Sequence, residues 1–535
     1  MNTIYIYDTT LRDGTQGIDI TYTADDKLAI LKALDDMRID YVEGGFPFSN
    51  EKDRSFFEQC KSLRLKHTKL VAFGNTRKAH TIAKEDAQLQ VLLSCNTPAI
   101  TLVGKTSKAH VIHVLKTSQK ENLNMIEDSI SFLKKKKKEV IFDAEHFFDG
   151  YKESPEYAIQ VLHSAARAGA DSVVLCDTNG GTLPDEVGKI LANLPLEDMP
   201  LIGGHFHDDC GTAVANSLLT LRMGARQIQG TFNGWGERCG NANLCTLLPN
   251  LFLKTQFTAA SSKHLKKITA VSRFIAERAN IIPDKRHPYV GDAAFTHKAG
   301  LHADVVIKSS SLIEHIDSKE VGNERHIVLS ELAGKSTILA KLKKYGTFMK
   351  NSPEVEHIIQ QLKEQEMHGF TYEAAEASFD LLIRKTLNRY QSMVHLRNYH
   401  LELFKSRNFS SKTVGRIFLD VHDMQVMGVA SGTGMVEALD KTLKDALVSF
   451  YPFIKQLHIT DYRVRIIDPE NATAAIVRVF ITSTDGTHYW NTIGVHQNII
   501  EASWQALVDS LEYYYNNFTS EHKEKSVHSR QSISG

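Results

Sequence analysis

The sequence predicts an α/β protein built on a (β/α)8 TIM barrel, followed by a helical linker region and a C-terminal α+β domain. Three observations predict it. Short apolar strand candidates alternate with longer amphipathic stretches over residues 1–255, the signature of a parallel βα sheet. Eight such strands fit into about 230 residues, the usual size of an eightfold barrel. Polar residues gather after six of the eight strands, on the edge where such barrels carry their active sites. An open doubly wound sheet is the alternative, but it usually has fewer strands.

Taken in order, the strands are expected near Ile4–Tyr7, Tyr41–Glu43, Leu70–Phe73, Ile100–Val103, Val140–Asp143, Ser172–Cys176, Leu201–His207 and Gln227–Gly230. Amphipathic stretches between them include Asp25–Asp36, Ala158–Ala168 and Ala213–Met223. Residues 256–395 read as helical linker subdomains, interrupted by the small, polar run Ala294–Asp304 and the charged loop Val321–Arg325. A different domain is expected over 396–520, with strand patterns such as Arg416–Val421 and Ala475–Ile481, each followed by a helix. Its two helices repeat at an offset of about 64 residues: Glu437, Ala438, Leu443, Asp445 and Leu447 recur as Glu501, Ala502, Leu507, Asp509 and Leu511. The tail 521–535 is poor in apolar residues and is expected to be disordered.

Composition excludes several classes. The 535 residues exceed what one core supports, so roughly three domains are expected. With 63 basic and 63 acidic residues the formal charge is zero, which gives no general affinity for nucleic acid. The one dense basic run, Lys134 to Lys138, reads as the solvated end of a helix before a strand. Six cysteines form no C-x-x-C pair, as expected in a reducing compartment. No apolar run approaches the roughly 20 residues of a membrane helix, and the strand-like Ile4–Tyr7 leaves no room for a secretory leader. A cytoplasmic location is expected.

The chemistry centres on His205-Phe206-His207-Asp208-Asp209-Cys210-Gly211. Residues at i and i+2 of a strand share a face, so both imidazoles project to one side, either as metal ligands or as polar strand residues. Barrel closure sets the first strand beside the eighth, with the seventh one further on. Asp13, His205, His207 and Asn241 can therefore converge from distant parts of the chain. Such an N/O set suits a divalent cation such as Mn2+ or Mg2+, or Zn2+ or Co2+, with positions left open for substrate. Cys239 is a competing soft ligand or else a packed thiol. A metal with an adjacent arginine suits a 2-oxo acid: the ion polarises the carbonyl, Arg12 stabilises the developing alkoxide, and Glu43 orients Arg12. Phosphate-loop and dinucleotide fingerprints fail, because Ala99 and Cys239 stand where glycines are required.

The runs Asp8–Gln16, His205–Gly211 with Ala213–Ser217, and Gly230–Arg238 resemble the 2-isopropylmalate, homocitrate and citramalate synthase family. The runs Phe142–Gly150, Glu237–Leu244 and Val321–Arg325 are most similar to its long citramalate-forming branch. The resemblance implies condensation of pyruvate with acetyl-CoA and water, on the way to isoleucine, with 2-oxoisovalerate or 2-oxoglutarate as the acceptor in sister enzymes. It implies Asp13, His205, His207 and Asn241 at the metal, Arg12 and Thr178 on the 2-oxo acid, and Glu145 as the base that enolises acetyl-CoA. His302 would assist Glu145, in cis or from a partner subunit, with His297 a weaker candidate. The C-terminal domain resembles a dimerising, amino-acid-binding regulatory domain, which implies a homodimer and isoleucine as effector. A carbon–carbon lyase on the same barrel and a non-catalytic amino-acid sensor are the competing readings.

Overall fold

The computed structural model describes residues 3–297, 305–306, 309–327, 335–346, 348–349, 351–406 and 409–531. The chain divides into two compact units, residues 1–296 with 314–326, and residues 297–313 with 327–535.

The first unit is a closed parallel barrel, with each strand beside the next in sequence and the last beside the first. Its strands are β1 (Tyr5–Asp8), β2 (Tyr41–Gly45), β3 (Lys69–Asn75), β4 (Ala99–Lys105), β5 (Glu139–Glu145), β6 (Ser172–Asp177), β7 (Leu201–Phe206) and β8 (Gln227–Gly230). β1 closes on β8 in the register Tyr5↔Gln227 to Asp8↔Gly230. Alternate side chains turn inward, and Tyr7, Tyr41, Val71, Ala99, Ile141, Val174 and Cys176 fill the lower interior as one packed cluster. The barrel is therefore a solid core whose chemistry is confined to its upper rim. Outward residues such as Ile6, Val42, Ile100, Phe142 and Val173 pack against the surrounding helices, each fully buried Ile, Val or Phe contributing about 1.5–3 kcal/mol.

Local sequence sets the helix starts. Thr23 and Asp26 form a reciprocal capping box on Ala24–Asp36. Asp86 accepts the N–H groups of Gln88 and Leu89 to start Ala87–Ser94. The basic run behaves as expected: the helix Gln119–Lys135 ends in it and β5 follows. Behind β2, the buried Lys27 donates to Gly44 O at 3.0 Å and pairs with Asp53, which accepts Phe46 N–H at 2.9 Å. That buried ion pair pins the strand end that carries Glu43.

In the second unit the helices Lys335–Leu342, Pro353–Met367 and Glu376–Thr386 share a core that includes Ile338, Ile358, Leu362 and Ile383. Two three-stranded antiparallel sheets follow, His395–Ser406, Phe409–Val421 and Met424–Gly432, then His458–Ile466, Val477–Thr484 and Tyr489–His496. Each sheet leads into a helix, Met435–Leu447 and Ile499–Gln531 respectively. Between each expected strand and its helix one further strand intervenes, Met424–Gly432 and Tyr489–His496. His422 and Asp423, both at positive φ, form the tight turn into the first, as two-residue hairpins require. Asp485-Gly486 turns the chain into the second, with Gly486 at φ +90. The last helix continues through the stretch from 521 for which disorder was expected; its side chains are described only up to Thr519.

Candidate active site

The ends of β1 and β8 are laced together by hydrogen bonds. Asp8 accepts the Thr10 N–H at 3.0 Å and its hydroxyl at 2.8 Å. Thr10 Oγ1 in turn accepts Phe232 N–H at 2.9 Å, and Thr9 N–H donates to Gly230 O at 2.9 Å. This turn delivers Asp13 to the rim opposite the two histidines. Asp13 Oδ2 stands 3.3 Å from His205 Nε2 and 4.0 Å from His207 Nε2, and all three residues are buried. Among the described residues they form a metal-sized group, with one ligand atom from each lying within 4.8 Å of the others.

Asn241 joins them through the backbone. It forms an isolated antiparallel bridge with His207, flanked by Asp208 N–H to Gly240 O and Ala242 N–H to Phe206 O, both 2.9 Å. Directly opposed residues hold their Cβ atoms about 5 Å apart, so the amide lies beside the imidazole. Two glycines make this loop possible. A Cβ on Gly236 would overlap Asn241 Nδ2, and one on Gly240, at φ +95, would overlap Gly234 O. Asp13 Oδ2, His207 Nδ1 and Asn241 Oδ1 are buried without a hydrogen-bond partner. Orphaned buried acceptors are costly, and a divalent cation answers them with the N/O donors such ions take. The residues present fit the metal. Cys239 is neither packed nor part of the group, but exposed.

A relay inside the barrel fixes one histidine. His205 Nδ1 meets Gln229 Oε1 at 2.8 Å, and Gln229 Nε2 donates to Asp143 Oδ1 at 3.0 Å. With the Gln229 amide nitrogen engaged by Asp143, its oxygen must accept, so the network assigns the His205 proton to Nδ1 and turns Nε2 toward Asp13. Burial alone would lower His205, but the Asp13 carboxylate outweighs it and raises the imidazole above its ordinary value. Burial and the neighbouring His205 push His207 down to about 4. Burial also opposes the Asp13 charge, yet Arg12 and His205 hold that carboxyl well below the usual range. Asp143 is pushed up to about 7 by burial and by Glu43.

Arg12 lies where the sequence reading expected it. Its Nε donates to Glu43 Oε2 at 2.5 Å, Nη1 lies 3.4 Å from Asp13 Oδ1, and the guanidinium sits 4.1 Å over the Phe73 ring. Glu43 is itself held by Tyr7, whose hydroxyl donates to Oε1 at 2.8 Å. Glu145, at the end of β5, pairs with Lys105 at the end of β4. Next to it, His146 N–H donates to Thr178 Oγ1 at 2.8 Å. Arg12, Asp13, Asp143, Glu145, Thr178, His205 and His207 all line one cavity of about 260 Å3, with Phe46 and Phe73 in its wall. A second cavity of about 560 Å3 shares Phe46, Asn75, Val103 and Glu145 with the first, and Phe48, Lys78, Lys105 and Leu115 also line it. His302 lies outside the described residues, and His297 belongs to the second unit.

Sequence reasoning gave no role to Tyr7, Lys105, Asp143, Gln229 and Arg238, although Asp143 and Arg238 stand among the polar residues at the strand ends. Arg238 clamps the rim: Nε and Nη2 bind the two oxygens of Asp209 at 2.8 and 3.0 Å, and Nη2 donates to Thr178 O at 2.9 Å.

Three family models match the chain: HMGL-like over residues 3–275, homocitrate synthase post-HMGL domain-like over 289–369, and the LeuA allosteric (dimerisation) domain over 373–515. The (R)-citramalate synthase of Aquifex aeolicus is 46% identical over 514 residues, covering 95% of this chain and 97% of that protein. The (R)-citramalate synthase of Synechocystis is 43% identical, covering 95% and 96%. The chain belongs to the (R)-citramalate synthase family. A 2-isopropylmalate synthase of Staphylococcus epidermidis is further from it, at 29% identity over 96% of this chain and 98% of that protein.

In this (R)-citramalate synthase family chain the Gln229 relay is testable apart from catalysis. Gln229→Leu keeps the buried volume but releases the His205 tautomer. Affinity for Mn2+, measured by competition with a fluorescent chelator, is expected to fall about 10–100-fold, the usual cost of removing an outer partner of a ligating histidine. Unchanged affinity would show that the relay does not orient His205.

Proposed function

We propose that this enzyme condenses pyruvate with acetyl-CoA and water to give (R)-citramalate and free CoA. The observation that carries the proposal is the single cavity in which Arg12, Glu145 and Thr178 meet the Asp13–His205–His207 group, in a chain with full-length (R)-citramalate synthase relatives. A divalent cation held by Asp13, His205, His207 and Asn241 supplies Lewis-acid polarisation of the keto group. Arg12, fixed by Glu43 and stacked on Phe73, stabilises negative charge as it develops on the keto oxygen. The Thr178 hydroxyl anchors the carboxylate end. Glu145 takes a methyl proton from acetyl-CoA, and the carbanion carbon attacks C2 of pyruvate. Water then cleaves the citramalyl thioester and releases CoA. The wall rings Phe46 and Phe73, whose centroids are 5.8 Å apart, favour a small acceptor over a branched one. The adjoining cavity, with Lys78 and Lys105 among apolar residues, suits the thioester arm and phosphates of CoA.

The regulatory part of the proposal is a homodimer that responds to isoleucine. The match to the LeuA allosteric (dimerisation) domain supports it. So does the strand Met424–Gly432, on which Met424, Met427 and Val429 are exposed as interface residues are before pairing. A cytoplasmic setting agrees with six free cysteines, and among the described residues no helix is long and apolar enough to cross a membrane.

One assay tests the core. CoA release is measured with the full chain, Mn2+, acetyl-CoA, and pyruvate, 2-oxoisovalerate or 2-oxoglutarate in turn. Pyruvate is expected to be turned over fastest, with isoleucine lowering the rate. Preference for 2-oxoisovalerate reassigns the chain to 2-isopropylmalate synthesis, and preference for 2-oxoglutarate to homocitrate synthesis.

A further inference from the structure

The mouth of the barrel opposite the cation group holds a cavity of about 450 Å3, within the range of small-molecule sites. It lies where β1, β2, β3 and β5 begin, at Tyr5, Tyr41, Lys69 and Glu139, and three lysines of the run Lys134 to Lys138 face it. Its two carboxylates are already engaged. Glu139 accepts the Tyr41 hydroxyl and Lys69 Nζ, both at 2.6 Å. Asp171 accepts Val140 N–H at 2.8 Å and Lys134 Nζ at 2.5 Å. Lys137 and Lys138 have no carboxylate partner among the described residues, and Lys138 Nζ donates to Thr97 O at 2.6 Å. Two ammonium groups are thus left without an anion at one cavity.

The helix dipole does not account for them. Lys134 and Lys135 occupy the last turn of Gln119–Lys135, where a cation is favoured, whereas Lys137 and Lys138 follow it. Lys137 also sits at φ +60, in a position after a helix that glycine fills at the least steric cost. A lysine held there keeps its ammonium at the cavity at the expense of stability. Beside it, Tyr5 is 39% exposed at the very start of a barrel strand, its ring edge-on to Tyr41 with centroids 6.2 Å apart.

We propose that this cavity binds a nucleoside phosphate, with the phosphate on Lys137 and Lys138 and the base on the open face of Tyr5. A phosphate monoester carries about −1.5 to −2 charges at pH 7, which matches two unanswered ammonium groups. Stacking on an aromatic ring accepts any base, so the cavity selects for the class and not for one nucleotide. A monocarboxylate would answer one lysine and leave Tyr5 bare. The site stands at the far end of the strands from Arg12 and Glu145, and it does not rest on the synthase reading.

Calorimetric titration of the full-length protein with AMP and UMP tests it. At least one is expected to bind saturably at one per chain, with affinity falling as salt is raised. The parent nucleoside and inorganic phosphate, each lacking half of the ligand, should bind about tenfold more weakly or worse. Lys138→Gln and Tyr5→Ala should each weaken the nucleotide by a similar factor. Lys137→Gly is the decisive variant. It should lose about tenfold in affinity yet melt at or above the wild-type temperature, because glycine relieves the backbone, and its CoA release should stay at the wild-type rate. The proposal is overturned if neither nucleotide binds up to about 10 mM. It is also overturned if inorganic phosphate binds as tightly as the nucleotide, the mark of an adventitious ion only. Unchanged affinity in Lys137→Gly overturns it as well, since the nucleotide would then occupy another cavity, such as the one that suits CoA. Loss of nucleotide binding with intact citramalate formation in the wild-type protein sinks this inference alone, whereas nucleotide binding without synthase activity sinks the proposed function alone.

Discussion

His207→Ala is expected to lower turnover about 1,000-fold while the metal-free protein melts within a few degrees of wild type. A bound cation contributes several kcal/mol of charge stabilisation, and each 1.36 kcal/mol is tenfold in rate. The fold should tolerate the change, because His207 Nδ1 has no hydrogen-bond partner and the ring borders the cavity. Removing an unsatisfied buried polar atom relieves a desolvation cost. Two measurements check it: CoA release at saturating substrates, and Mn2+ binding by calorimetry, which should be lost in parallel. Retained activity in metal-stripped His207→Ala would refute the metal-centred reading outright.

Glu145→Gln should lower kcat by about 10²–10⁴, the range general bases supply, and leave Mn2+ affinity unchanged. The side chain keeps its shape and loses only its proton-accepting charge. Its ion pair with Lys105 also disappears, so a second readout separates the roles. In heavy water, wild type should exchange the methyl protons of acetyl-CoA when a non-reacting pyruvate analogue is bound. Glu145→Gln should not. Wild-type exchange in the variant would move the base elsewhere.

Much of the barrel was legible because the parallel strands are short apolar runs between helices whose apolar residues recur every three to four positions. Every expected barrel strand overlaps an observed one. The convergence of the candidate metal group was legible for a similar reason. His205 and His207 share a strand face, and closure of β1 on β8 is a property of the architecture. Gln229 was not legible. It lies inside a strand, where one polar residue among apolar ones reads as solvent-facing. Only the closed barrel shows that its face is the interior, where buried polar groups must find partners. Tyr7 reads as core and is core, yet its hydroxyl reaches Glu43 across the neighbouring strand. In the second unit the hairpins were missed because His422-Asp423 is an unusual turn pair and Met424–Gly432 lacks clean alternation.

The pairing of β1 with β8 also sets a timetable. Asp13 leaves the ribosome more than two hundred residues before Asn241, and the two are brought together only by the last strand pairing of the barrel. A partly synthesised chain therefore has no complete seat for the cation, and a contact that spans so much chain forms late. A cation held at that seat would bind the closed barrel and not the open one, stabilising closure in proportion to the logarithm of its concentration. Metal supply would then govern how long a newly made barrel stays shut, as well as how fast it works.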